Sequence, residues 1–264
     1  MSISEDSSGP APAGAQNGGA LLALRGITKT FGPVRALTAV DLDIPPGQVT
    51  ALIGDNGAGK SSLIKTISGL WGPDGGKILW EGKEVHFHTP KDAEALGITT
   101  IYQDLALCEN LDIVQNMFLG HELARHGALD EGTMEIKARE TLSGLNVVTI
   151  RSIRQLVASL SGGQRQSVAV AKAVMSNAKL VIMDEPTAAL GVAQTSMVLE
   201  LIKTLAARDV AVLVISHNLV DVFDVADRIA VLYLGQLVVQ GPASDFDRQS
   251  AVEYMTTGTI AQAA

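Results

Sequence analysis

Residues 49–61 read VTALIGDNGAGKS, and this stretch decides the fold. Residues 49–53 form a short apolar run of the kind that makes a buried strand. Directly behind it, Gly54-Asp55-Asn56-Gly57-Ala58-Gly59-Lys60-Ser61 fits the spacing G-x-x-x-x-G-K-[ST]. Ser62 and the adjoining LIKTI carry on with helical spacing. Strand, glycine-rich loop and helix in that order make a phosphate cradle. Glycines let backbone N–H groups curl around phosphates, and the new helix points its positive end at them. Lys60 adds a point charge for the β- and γ-phosphates, and Ser61 offers a hydroxyl to Mg²⁺. A plain glycine-rich turn would explain neither Lys60 nor Ser61.

The same pattern repeats outward from this loop. Residues 180–183 (LVIM) and 212–215 (VLVI) are further continuous apolar runs. Such strands sit in a parallel sheet covered on both faces, which predicts an α/β domain. Residues 229–233 and 237–240 flank Leu234-Gly235-Gln236 and read as a hairpin. Strand-like segments near 21–30 and 77–88 predict a second, antiparallel layer. Residues 105–158 are spaced for helices without a convincing strand. A helical subdomain of about 105–165, inserted in a domain of 21–250, is therefore expected. Residues 1–20, rich in Ser, Gly, Pro and Ala, read as a disordered tail, and 251–264 as a C-terminal tail.

The bulk numbers narrow the class. The chain has 264 residues, 47% of them hydrophobic, enough for a substantial core. A net charge of -8 with no basic block argues against a dedicated nucleic-acid surface. A single cysteine, Cys108, leaves no internal disulfide and fits a reducing compartment. No stretch reaches the ~18 consecutive apolar residues of a membrane helix. The N-terminus lacks the basic start and apolar run of a signal peptide. These features predict a cytoplasmic protein that works at a membrane only when a partner holds it there.

Two further stretches carry chemistry. The 180–183 strand ends in Asp184 and Glu185. Ligands of a parallel sheet bind beyond the carboxyl ends of its strands. Adjacent carboxylates at an apolar strand end repel unless a cation sits nearby, and the Mg²⁺ of bound ATP supplies one. Asp184 is then the metal partner, and Glu185, alternating to the other side of the backbone, polarises the attacking water. The second stretch is Leu160-Ser161-Gly162-Gly163-Gln164. Ser161 can cap a helix and the two glycines expose N–H groups, so this is a second anion site. A chain with one phosphate loop has no use for a second cradle on itself. The cradle makes sense if it serves the ATP of another copy.

With GDNGAGKS (54–61), LSGGQRQ (160–166), LVIMDEP (180–186) and ISHN (215–218) in this order, the sequence resembles the ATP-binding cassette family over about residues 21–245. The resemblance implies a P-loop NTPase (RecA-like) core with an antiparallel β layer and a helical subdomain. It further implies that Phe31, in TKTFGPVRAL, stacks on adenine. Gln103, in TIYQDL, would contact Mg²⁺ and the attacking water, and His217 would contact the γ-phosphate. A metal site at His86 and His88 has no third ligand in view. Two cassettes would close head to tail, forming a homodimer. ATP would sit between the phosphate loop of one chain and Ser161, Gly162, Gly163 and Gln164 of the other.

Which transporter is a matter of resemblance alone. GDNGAGKSSLIKTISG, EVHFHTPKDAEALGITTIYQDLAL, NMFLGHE, LSGGQRQSVAVAKAV, VIMDEPTAALGV and VISHNLVDVFDVADRI are similar to ATPases of bacterial sugar importers of the ribose/xylose/fructose type. Among these, the likeness is nearest to the single-cassette fructose importers. That implies transmembrane permease subunits as partners, an extracytoplasmic sugar-binding protein met indirectly, and a place on the cytoplasmic face of the inner membrane. A non-sugar importer, an exporter, or a soluble cassette ATPase acting on ribosomes or DNA are the alternatives. One departure stands out. The loop after Pro186 ends Ala189-Leu190-Gly191, where most cassettes have Ala-Leu-Asp, so the cross-dimer carboxylate contact cannot be assigned to Gly191.

Overall fold

A computed structural model describes residues 19–125 and 127–259. The expected tail at 1–20 therefore lies almost wholly outside the described residues. The chain opens with β1 (Leu22–Phe31) and β2 (Val34–Ile44), followed by β3 (Val49–Ile53) and helix α1 (Lys60–Ile67). Next come β4 (Gly75–Trp80), β5 (Lys83–Val85), α2 (Pro90–Ala95) and β6 (Ile98–Ile101). The helical region holds α3 (Ile113–Phe118), β7 (Ala124–Arg125), β8 (Ala128–Leu129), α4 (Glu131–Gly144) and α5 (Gly162–Met175). The chain then runs through β9 (Leu180–Asp184), α6 (Val192–Ala206), β10 (Ala211–Ile215), α7 (Leu219–Val225), β11 (Arg228–Tyr233), β12 (Gln236–Pro242) and α8 (Arg248–Thr257).

Two sheets result. The larger runs β12-β11-β3-β10-β9-β6, parallel except for the antiparallel edge pair β11–β12. Its inner strands β3 and β10 are buried at every residue, as their unbroken apolar sequences require. The smaller sheet, β2-β1-β4-β5, is wholly antiparallel. One apolar cluster fills the space between the two sheets around α1, with Leu22, Leu52, Leu63 and Ile215 at its centre. A second joins the opposite face of the large sheet to α3–α6. A third lies under α7 and α8.

Register decides where function can sit. Ile215 pairs with Leu52 on one side and Asp184 on the other, and Ile101 pairs with Met183. The carboxyl ends of β3, β10, β9 and β6 therefore stand in one row, and the loops leaving them meet at one edge.

The structure departs from the sequence expectations at several points. Strand β2 is absent from those expectations, because charged Arg35, Asp41 and Asp43 and a left-handed kink at Ala39 (φ 47) break its apolar period. The helical region contains a small hairpin, β7–β8, too short to leave a sequence signal. The C-terminal tail expected from 251 begins inside α8, which packs onto β11 through buried Ala251.

The helical region is tied together by two polar hubs. Arg154 binds Asp112 (3.2 Å), Glu131 (2.8 Å) and Glu135 (2.5 Å), which join the starts of α3 and α4. The buried Asn116 side chain accepts from the Cys108 N–H (2.7 Å) and donates to the Cys108 and Asp112 carbonyls (both 2.9 Å). This fixes the path of the loop after Gln103. Among the described residues, no helix is long and apolar enough to cross a membrane.

Candidate functional site

The loop between β3 and α1 is wedged against protein on two sides. A Cβ on Gly54 would strike the Leu232 carbonyl oxygen, and one on Gly59 would lie 2.7 Å from the Ala36 carbonyl oxygen. The β11–β12 turn braces the loop through a hydrogen bond from the Gly235 N–H to the Ala58 carbonyl (2.8 Å). Glycine at 54 and 59 is thus demanded by β11 and β2, beyond the expected freedom of the loop to curl round phosphates. Gly57, by contrast, has open space at its Cβ position.

Helix α1 begins at Gly59 (φ 105) without any side-chain cap. The first N–H groups of a helix have no partner within it. With no cap supplied by the chain, those of α1 suit an anion. Lys60 is buried, and its ammonium donates to the Gly54 carbonyl (2.7 Å) and the Asp55 carbonyl (3.0 Å). The loop's own carbonyls hold this cation in place. Burial lowers the Lys60 pKa, while Glu185, Asp55 and Asp184 each work in the other direction.

Asp184 closes β9, and Glu185 comes next in a left-handed conformation (φ 50). This left-handed turn follows directly on the last residue of the strand. The Glu185 N–H is held by the Ile215 carbonyl (2.9 Å), which locks the turn to the end of β10. A non-glycine residue at positive φ is uncommon and persists where its surroundings over-determine it. Burial and the Glu185 charge push the Asp184 carboxyl above its ordinary range, only partly offset by Lys60 and Lys65. The oxygens of Ser61, Gln103 and Asp184 make a hard donor set that fits Mg²⁺.

His217 lies just past the end of β10, and its Nδ1 is 2.8 Å from Glu185 Oε1. The histidine side chain is 65% exposed, whereas that of Glu185 is 17% exposed. One face of this pair therefore remains open to a substrate. Gln103 is exposed two residues beyond β6. Behind it, Leu105 and Ala106 both adopt left-handed conformations (φ 55 and 48), giving the loop a sharp, strained turn. Phe31 ends β1, and its half-exposed ring meets Trp71 edge to face.

The second cradle lies on α5. Ser161 caps this helix in a reciprocal box: its hydroxyl accepts from the Gln164 N–H (3.3 Å), and Gln164 Oε1 accepts from the Ser161 N–H (3.0 Å). Gln164 Nε2 also donates to the Thr149 carbonyl (2.9 Å). Arg165 is turned away to Glu109 (2.8 Å) and the Ala158 and Leu160 carbonyls. A Cβ on Gly162 would lie 2.6 Å from the Leu190 side chain, so the loop after Pro186 packs directly behind the cradle.

Sequence reasoning missed one link in this loop. The Thr187 hydroxyl donates to Asp221 on α7 (2.7 Å), tying the segment after the acid pair to the helix after His217. A polar pair 34 residues apart leaves no periodic trace to find.

The comparisons with known proteins agree with this geometry. The family described as ABC transporter matches residues 37–188. The fructose import ATP-binding protein FrcA of Rhizobium meliloti is 49% identical, over 89% of this chain and 94% of that protein. The xylose/arabinose import ATP-binding protein XylG of Sulfolobus acidocaldarius is 46% identical, over 90% of this chain and 94% of its own. A ribose import ATP-binding protein of Rubrobacter xylanophilus is 42% identical, but the chain spans only 48% of that longer protein. Among solved structures, an ATP-binding cassette of an ABC transporter in its ADP conformation superposes with a TM-score of 0.77 at 26% identity, covering 90% of this chain and 95% of that one.

Proposed function

This chain belongs to the ABC transporter family, and on that premise we propose that it is the ATP-hydrolysing subunit of a bacterial monosaccharide importer. Two relatives matched over 94% of their own length, named for fructose and for xylose/arabinose import, support sugar as the cargo class. Fructose is our choice within it, after the 49% identical relative. The observation that carries the ATPase reading is the 2.8 Å contact of His217 with Glu185, beside a phosphate loop whose lysine rests on its own carbonyls.

The chain's residues divide the work. Gly54, Asp55, Asn56, Gly57, Ala58 and Gly59 shape the cradle, and Lys60, Ser61 and Ser62 open α1 toward the phosphates. Phe31 stacks on the adenine. Ser61, Asp184 and Gln103 would hold Mg²⁺, which would supply positive charge against the triphosphate. Glu185 accepts the proton of a water that attacks the γ-phosphorus in line, while the bond to the bridging oxygen breaks. Gln103 helps orient that water. His217 holds Glu185 through Nδ1 and leaves its other ring nitrogen for the γ-phosphate.

Ser161, Gly162, Gly163 and Gln164 face the nucleotide of a second copy, so the working unit is a head-to-tail homodimer. ATP closes it and hydrolysis opens it, and that motion drives permease subunits between two states. The subunit is peripheral to the membrane, on its cytoplasmic face, and meets the extracytoplasmic sugar-binding protein only through the permease. The domain we propose runs from residue 21 through α8, which ends at Thr257, with the helical subdomain at about 105–165.

Purification of the membrane complex, followed by identification of its extracytoplasmic binding protein, tests the cargo. Screened against pentoses, hexoses and polyols, that protein should bind a monosaccharide and stimulate ATP hydrolysis in the reconstituted complex. Binding of amino acids only would overturn the sugar assignment. Purification with ribosomes or nucleic acid and no permease would overturn the transport assignment.

A further inference from the structure

Trp71 lies in the segment between α1 and β4, a region that carries none of the motifs. Its ring meets that of Phe31 edge to face, with centroids 4.6 Å apart and planes inclined at 64°. The Lys65 ammonium also sits against the Trp71 ring, 4.6 Å from its centroid. Lys65 stands on α1, four residues after Ser61 and so about one turn further along the helix. The backbone of the segment is fastened to the same helix, since the N–H groups of Leu70 and Trp71 both donate to the Lys65 carbonyl (2.9 and 3.1 Å). Its far end is fastened to β1. Asp74 donates its N–H to the Thr28 carbonyl (2.8 Å) and accepts from the Thr30 N–H (2.7 Å). Lys29 bridges the Asp74 carboxylate (2.8 Å) and the Gly72 carbonyl (2.7 Å). The hydrogen bonds from Lys29 and Thr30 hold the Asp74 carboxyl below its ordinary range.

The segment is thus stapled at one end to the helix that holds phosphate and at the other to the strand that carries Phe31. Phe31 itself is 38% exposed at a strand end, where an unsupported ring would sample several rotamers. From this geometry we propose that Trp71 is a positioning residue for nucleotide recognition: it fixes the Phe31 ring relative to α1, and so sets the spacing between the adenine wall and the phosphate cradle. The inference deepens the reading of Phe31 as the adenine-stacking residue and rests on it. It predicts a contribution to the base end of the ligand alone.

The test compares ATP with magnesium tripolyphosphate, which has the phosphates and lacks the base. Trp71→Ala should raise the Kd for ATP roughly two- to tenfold, the range set by one aromatic pair. The Kd for tripolyphosphate should not move. Trp71→Phe should restore ATP affinity. In ATPase assays the KM for ATP should rise in Trp71→Ala while kcat holds. Trp80 is buried at 4% exposure and supplies a constant fluorescence background, so ATP should change the emission of the unaltered chain through Trp71. Tripolyphosphate should not change it, and Trp71→Phe should abolish the response to ATP. Equal weakening of ATP and tripolyphosphate in Trp71→Ala would mean a damaged loop and would overturn the proposal. So would an unchanged ATP Kd in Trp71→Ala alongside a raised one in Phe31→Ala. An unchanged Kd in Phe31→Ala would instead remove the adenine-stacking reading itself, and the inference with it.

Discussion

Two helices in this chain begin at the stretches proposed here as anion cradles, and their N-termini differ. Helix α1 starts at a glycine with no cap, beside a buried lysine that rests on loop carbonyls. Its donors and its cation are ready for a ligand. Helix α5 starts at Ser161 with a complete capping box, and its nearby cation, Arg165, is committed to Glu109. In the proposed reading the first cradle binds the triphosphate unaided. In the second, the cap takes up the Gln164 N–H and Arg165 brings no free charge, so in the proposed reading it only adds to a phosphate that another surface presents. A capped serine still has its hydroxyl proton to donate, because the cap uses it as an acceptor. The difference would give the proposed ATP-dependent dimerisation a physical basis: a strong site binds first, and a weak site then closes over it.

The largest expected effect concerns hydrolysis in the closed dimer. Glu185→Gln keeps the shape of the residue and removes the base. Turnover should fall on the order of 10²–10⁴-fold, while ATP-dependent dimerisation survives or strengthens. Rapid-quench hydrolysis and size-exclusion chromatography with ATP check both arms. Normal turnover would sink the assignment of Glu185.

Breaking the weak cradle comes next. Ser161→Arg fills it and removes the cap. Turnover should drop by about 10²-fold, as for loss of a donor to a developing charge. ATP affinity of the monomer, measured by calorimetry at low protein concentration, should change by less than about twofold. Loss of the cap should lower the Tm by roughly 2–4 °C. A large loss of monomer affinity would place both cradles on one nucleotide and end the contrast between them.

The strong site carries a cost that can be measured without a ligand. Asp184 has its pKa raised by burial and by Glu185. The folded state therefore binds this proton more tightly than the unfolded chain does. Its stabilising contribution is present below the unfolded value of about 3.9 and is lost as pH rises through the raised folded value. Asp184→Asn removes that loss. At pH 7 and without nucleotide its Tm should exceed that of the unaltered chain, and the gap should close toward pH 4. Magnesium-dependent ATP binding should weaken in the same variant. A lower Tm at pH 7 would show that Asp184 has a structural partner in the empty site.

The sequence revealed the strong site more fully than its supports. Strands β3, β9 and β10 are continuous apolar runs, and each motif sits where such a run stops, so the edge of the large sheet was legible. The left-handed turn at Glu185 was not, because nothing in a one-dimensional pattern marks φ. Nor were the braces: Gly235 under the phosphate loop, Thr187 on Asp221, Trp71 behind Phe31, and Arg154 among three acids. These are single pairs brought together across long separations, and they repeat with no period. Strand β2 hid for a related reason, since its charges and kink disguise the alternation that its buried face obeys.

The smallest effect sharpens the contrast at a third helix start. Helix α6 begins at Gly191, again without a side-chain cap, and so resembles α1 on that count alone. The resemblance should be superficial. Gly59 has φ 105 and a Cβ there would press on Ala36, so no other residue fits. Gly191 has φ −75, and a Cβ there would meet nothing within 4 Å. Backbone geometry therefore does not require glycine at 191. Gly191→Asp should supply the missing cap and raise stability by a few tenths of a kcal/mol, or about 1 °C in Tm. The cap works as a carboxylate, so its pKa should be depressed in the folded state. The gain should then be present above about pH 4 and disappear as pH falls through the depressed value. Calorimetric melting at pH 7 and pH 3 checks the sign. A loss of stability at pH 7 would mean that the start of α6 resembles the strong cradle after all, with its backbone donors or its shape reserved for something other than a side chain.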